Sequence, residues 1–158
     1  MKTFISLVCF LLICGANLAV GAEIRIGVIK NANGVVSVER NNVLIPVKVG
    51  DKLYENDTIV TGRGGSMGLI LRDNSVLSVG SNTRLIISKF VFEPAEKKLS
   101  MVAKIKQGTL TYLTGVMAKL NPNAVRFETP VAVCGVRGTH FAIKVEESLP
   151  EAFRLTKN

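Results

Sequence analysis

The sequence predicts an all-β domain of about ten short strands with very little helix, and three observations carry that prediction. Val, Ile and Thr number 37 of the 136 residues beyond position 22, against 12 Leu. Such β-branched side chains suit a pleated surface and lose rotamer freedom in helices. Apolar residues alternate with polar ones in runs of strand rather than helix length, and turn signals fall between nearly all of those runs.

The runs follow one another along the chain. Ile24, Ile26 and Val28 alternate with Arg25 and Gly27, and Val36 and Val38 with Ser37 and Glu39. Asn33-Gly34 lies between these two runs and predicts a type I′ hairpin, whose two central residues need positive φ. Leu69 to Leu71 reads as a strand buried on both sides. Val76 to Val79, Leu85 to Ile87, Val102 to Ile105, Leu110 to Leu113 and Val131 to Val133 are further short strands. Phe90-Val91-Phe92, Pro94 to Lys98 and Leu99 to Ile105 form a longer hairpin with a charged tip, and Gln107-Gly108 reads as a turn. Val116 to Leu120 is long enough for one helical turn, ended by Asn121-Pro122. Thr61-Gly62 and Thr114-Gly115 close two similar alternating runs, an echo that suits a rolled, solenoid-like antiparallel sheet.

Residues 1–22 carry one basic residue (Lys2), an apolar run from Phe4 to Cys14 and small residues ending Val20-Gly21-Ala22. This is the layout of a signal peptide with a small-x-small cleavage site. Its removal takes Cys9 and Cys14 and leaves Cys134 as the one thiol, which excludes an intrachain disulfide framework. It also leaves 19 basic and 12 acidic residues, a net charge of +7. No later apolar run approaches the roughly 20 residues of a membrane-spanning helix. The expectation is an exported protein, periplasmic or extracellular, with a β domain over residues 23–145 and a short tail over 146–158. Export removes nucleic acid as the partner that a basic chain would otherwise imply, and makes anionic glycan or lipid the alternative to a protein.

Residues suited to catalysis are scarce. One histidine and one cysteine cannot supply a zinc set, and no cofactor or metal is expected. His140 stands six positions from Cys134, whose apolar run Val131 to Val136 predicts an inert, packed thiol. Gly62-Arg63-Gly64-Gly65-Ser66 lacks the lysine of a phosphate loop. Asp51, Glu55, Asp57 and Asp73 do not have calcium-loop spacing; three of them sit in turn dipeptides, where Asp caps the backbone. There is no Trp and only two Tyr to make a sugar platform.

Three stretches together resemble the FecR domain, a periplasmic module of bacterial signalling regulators. The first runs from Pro46 to Gly62 and includes Gly50, Asp51, Asp57, Thr58, Thr61 and Gly62. The second is Leu71 to Leu77 with Asp73, leading to Gly80-Ser81-Asn82-Thr83-Arg84-Leu85. The third is Thr129-Pro130-Val131-Ala132-Val133-Cys134-Gly135-Val136-Arg137-Gly138-Thr139-His140-Phe141. The resemblance, over roughly Gly27 to Val145, implies a solenoid-like β domain that works by protein contact rather than catalysis. In the best-known members the domain follows a cytoplasmic anti-sigma segment and a membrane helix, and senses the state of an outer-membrane receptor. Here a leader stands in front, so the sigma-regulating role does not carry over and the module does.

The third stretch sets further expectations. Gly135 and Gly138 provide backbone conformations or close approaches that a Cβ would block. Arg137 reads as a buried arginine bonding carbonyls and a carboxylate, with an exposed contact role as the alternative. Thr129-Pro130 fixes an extended entry to the strand that begins at Val131. The strand Phe141 to Val145 is expected to be an edge, open to strand addition by a partner or a second copy.

Overall fold

The computed structural model describes residues 24–138 and 140–146; the expected leader over residues 1–22 and the tail beyond Glu146 lie outside them. The described residues form twelve strands: β1 (Arg25–Asn33), β2 (Val36–Arg40), β3 (Val43–Pro46), β4 (Lys52–Tyr54), β5 (Thr58–Thr61), β6 (Ser66–Leu71), β7 (Val76–Val79), β8 (Arg84–Glu93), β9 (Lys98–Leu113), β10 (Val125–Glu128), β11 (Val133–Gly135) and β12 (His140–Val145). One 3-10 turn, Pro94–Glu96, and one helix, α1 (Val116–Leu120), complete the secondary structure. The all-β class with little helix is as the sequence predicts.

All twelve strands belong to one curled sheet, whose main path runs β3-β2-β5-β8-β9-β7-β6-β1-β4. β9 is its spine. The Lys98 half pairs with β8 on one side and, in parallel, with β10 on the other. The Leu113 half pairs with β7 and with β12, both antiparallel. β11 then pairs with β10.

The two apolar runs Val102 to Ile105 and Leu110 to Leu113 are thus one sixteen-residue strand, and Gln107-Gly108 is a bend within it rather than a turn. Its register with β8 shifts between Arg84 and Leu85, which oppose Gln107 and Ile105 and leave Lys106 as the extra residue. An odd residue flips the side-chain parity. Met101, Ala103 and Ile105 face the core before the bend, and Leu110 and Tyr112 after it. Gly108 makes the corner at φ +98°, where an added Cβ would lie 2.1 Å from Thr83 Oγ1.

Asn33-Gly34 does not form a hairpin. β1 pairs with β6 and β4, and β2 with β3 and β5. The local turn signal is overridden because β1 finds long-range partners for both of its edges. Gly34 is needed for a different reason: at φ +67° it passes Gly64, whose carbonyl oxygen would be 3.0 Å from a Cβ. The two-residue turn with positive φ at both positions is Asn41-Asn42 (φ 51° and 63°), between β2 and β3. Asn tolerates that region because its short amide bonds locally. The charged-tip hairpin is present, with Glu93 opposite Lys98, and α1 occupies the residues that the sequence assigns to a helical turn.

Candidate interaction face

The first two motif stretches are consumed in tying strands together. Asp57 is buried, and its carboxylate accepts a two-pronged contact from Arg40, Nε and Nη2 at 2.7 Å each, plus the Tyr54 amide at 2.9 Å. The Arg40 guanidinium lies 4.4 Å from the centre of the Tyr54 ring. Asp51 Oδ2 accepts the Lys48 amide at 2.9 Å, closing a turn in which Gly50 stands at φ +94°. Thr58 is buried in β5. Thr61 Oγ1 donates to the Gly80 carbonyl at 2.5 Å and accepts the Thr83 amide at 2.9 Å. The Gly62 amide donates to the Val35 carbonyl at 2.8 Å.

Asp73 sits at the centre of a second node. Its oxygens accept the Ser75 amide at 3.1 Å, the Ser75 hydroxyl at 2.7 Å and the Met117 amide of α1 at 3.4 Å. Ser75 Oγ also accepts the Gly115 amide at 3.0 Å and meets the Tyr112 hydroxyl at 2.7 Å. Low dielectric makes each of these bonds costly to lose. Burial, with the nearby Asp73 charge, pushes the Tyr112 phenol up to about 12 against the opposing Ser75 hydrogen bond.

The third motif stretch is built differently. Thr129 Oγ1 accepts the Ala132 amide at 2.9 Å and so folds Pro130-Val131 into a tight, exposed reversal. Val136 is buried, and its amide donates to the Val125 carbonyl at 3.1 Å. Phe141 packs against Tyr112 and Phe127, with ring centres 5.7 and 5.3 Å away. Between these anchors, the side chains of β11 and its flanks face outward.

Three expectations are corrected here. Cys134 is exposed, not packed. It opposes the buried Phe127 on β10, and among the described residues no further layer covers it. Arg137 is exposed rather than buried among carbonyls. Strand alternation puts buried Val136 inside and its two neighbours outside. Gly135 has neither positive φ nor any atom within 4 Å of an added Cβ, so crowding does not explain it. Gly138 does need positive φ (+69°), although its surroundings are open. Thr139 lies outside the described residues. His140 is exposed on β12, a different strand from Cys134.

Sequence reading also passed over residues that structure brings together. Arg40 and Ser75 hold the buried carboxylates. The Asp73-x-Ser75 spacing is a side-chain-to-backbone turn signal that marks Ser75, but no local pattern marks Arg40 as the partner of Asp57. Lys89 and Arg126 flank the exposed third motif from β8 and β10. β12 has one edge on β9 and, among the described residues, one open edge.

These features define a β module whose buried polar groups serve the fold, with exposed valines and cations at and beside β11 and a second exposed apolar strand at β3. Residues 57–152, more than half of the chain, match the family described as FecR protein, and the chain belongs to that family. The match covers the second and third stretches and begins at Asp57 within the first. The family is one of signalling and regulatory modules rather than enzymes. Neither a curated protein nor a solved structure gives a match.

Proposed function

We propose that this chain is a non-catalytic binding module of the bacterial envelope, exported by its leader and acting through protein–protein contact as a sensor or scaffold. The observation that carries this reading is the exposure of β11 and the reversal before it. Val131 is 93% and Val133 65% exposed, and β11 is hydrogen-bonded on one edge among the described residues. An apolar strand with a free edge is a template for another chain. The leader-like residues 1–22 support export, and the family supports a regulatory rather than catalytic role.

The test is photo-crosslinking in cells from a benzophenone side chain placed at position 133, with position 78 on β7 as control. Ser78 is exposed, but β7 is paired on both edges, with β6 and β9. Discrete protein adducts from position 133 and none from 78 are expected. Adducts to lipid or glycan alone, or equal adducts from both positions, would overturn the reading.

A further inference from the structure

The two faces of β11 differ in chemistry, and strand alternation separates them. Directly opposed residues point to the same side of a sheet. Lys89 opposes Val102, Val102 opposes Arg126, and Arg126 opposes Gly135, so these four form one row across β8, β9, β10 and β11. Lys89 reaches this row because the register of β8 shifts between Ile87 and Lys89, with Ser88 as the extra residue. Arg137, two residues beyond Gly135 and separated from it by buried Val136, faces the same side just past the end of β11. Lys89 and Arg126 are two strand spacings apart, about 10 Å.

The neighbouring row is neutralised. Lys104 opposes Glu128 and pairs with it at 3.3 Å. Lys89, Arg126 and Arg137 form no ion pair among the described residues. They are exposed, and two hollows of about 210 and 380 Å3 adjoin at Asn123 and Arg126, the larger reaching Arg137. Gly135 leaves the space beside Arg126 unfilled. The outer side of β11 therefore carries the exposed Val133 beside Gly135, with Arg126 on β10 and Arg137 just past the strand end forming a cationic step of two guanidinium groups, the geometry suited to carboxylates.

The inner face is apolar. Cys134, one residue out of phase with Val133 and Gly135, lines a cleft of about 490 Å3 between the Thr129 reversal and β12, whose floor is apolar (Pro130, Val131, Ile143 and Val145) and whose rim carries Lys106, Lys144 and Glu146. A strand added to the open edge of β11 would place alternate side chains over the cations and into this cleft.

We propose that β11 is the docking edge for an extended segment of a protein partner in which acidic and apolar residues alternate. The acidic side chains meet Arg126 and Arg137, with Lys89 adding to the field, and the apolar ones fill the cleft toward β12. This rests on the protein-contact reading above and names the chemistry of the partner. Charge complementarity argues for the acidic half, and the two unlike faces argue for the alternation.

The test uses the full chain and three labelled octapeptides: alternating Glu and Val, the same composition in two blocks, and alternating Lys and Val. Fluorescence anisotropy should show the alternating Glu-Val peptide binding at least about tenfold tighter than either other peptide, and weakening as salt screens the charges. The double variant Arg126→Glu, Arg137→Glu should melt like the parent and switch its preference to the Lys-Val peptide. Equal binding of the blocked and alternating peptides would overturn the proposal, as would an unchanged preference in the double variant. So would tighter, equally variant-sensitive binding of dextran sulfate or of phosphatidylglycerol vesicles, which would assign the cations to an anionic polymer or membrane. Protein adducts from position 133 without peptide binding would sink the partner chemistry and leave the protein-contact reading standing. Absence of both would sink the two together.

Discussion

The node around Asp73 and the face around Arg137 lie in the same sheet, and both hold residues of the family motifs, yet they are built in opposite ways. At the node, Ser75 and the start of α1 converge on the Asp73 carboxylate, and Tyr112 and the Gly115 amide meet the Ser75 hydroxyl. At the face, three cations form no ion pair among the described residues, and valines meet solvent. The difference teaches that a motif position carries two kinds of information. Removing a group from the node leaves buried donors unsatisfied; removing one from the face leaves only a hydrated surface.

Asp73→Ala separates the two regions most strongly. It strands the Ser75 hydroxyl and two backbone amides in a dry site, at about 3 kcal/mol or more. Calorimetry should show the melting temperature falling by more than about 10 °C. Asp57→Ala removes the partner of the partly exposed Arg40 and the acceptor for the Tyr54 amide. A loss of about 2 kcal/mol is expected, read by urea unfolding with the slope unchanged.

Tyr112→Phe should cost about 1 kcal/mol at neutral pH, for the bond to Ser75. It also has a pH signature. The folded phenol at about 12 lies above the ordinary value near 10. Between those values the unfolded chain has lost the proton that the folded one keeps, so stability is complete below about pH 10 and falls as pH rises toward 12. The variant should show a shallower decline, measured by urea midpoints at alkaline pH. The smallest effect belongs to Arg137→Ala. Were Arg137 buried, this change would lower stability markedly; on the exposed face its melting curve should lie within about 0.5 kcal/mol of the parent.

Much of the fold is legible in the sequence because strand alternation is a local property. β6 buries Met67, Leu69 and Leu71 by that alternation and leaves Gly68 and Ile70 half-buried, rather than buried on both sides as the run Leu69 to Leu71 predicts. The charged hairpin tip and the short α1 are likewise marked by their own residues. What the sequence hides is non-local. Asn33-Gly34 has the composition of a hairpin, but the strands around it find other partners far along the chain. The bulges at Lys106 and Ser88 show only when two strands are laid side by side, and they decide which way Tyr112 and Lys89 point. Cys134 reads as core because its neighbours are apolar. Whether an apolar strand is covered depends on a layer that its own residues do not encode. The same holds for Asp57, whose turn role is local while its arginine comes from seventeen residues earlier.

Amide hydrogen exchange on the purified chain measures the contrast directly. The account predicts that the amides of Ser75, Gly115 and Met117 exchange only through global unfolding, while those of Val131 and Ala132, bonded to the exposed Thr129 hydroxyl, exchange orders of magnitude sooner. Equal protection of the two groups, or faster exchange at the node, would contradict the division between a motif core that holds the fold and a motif face left open for a partner.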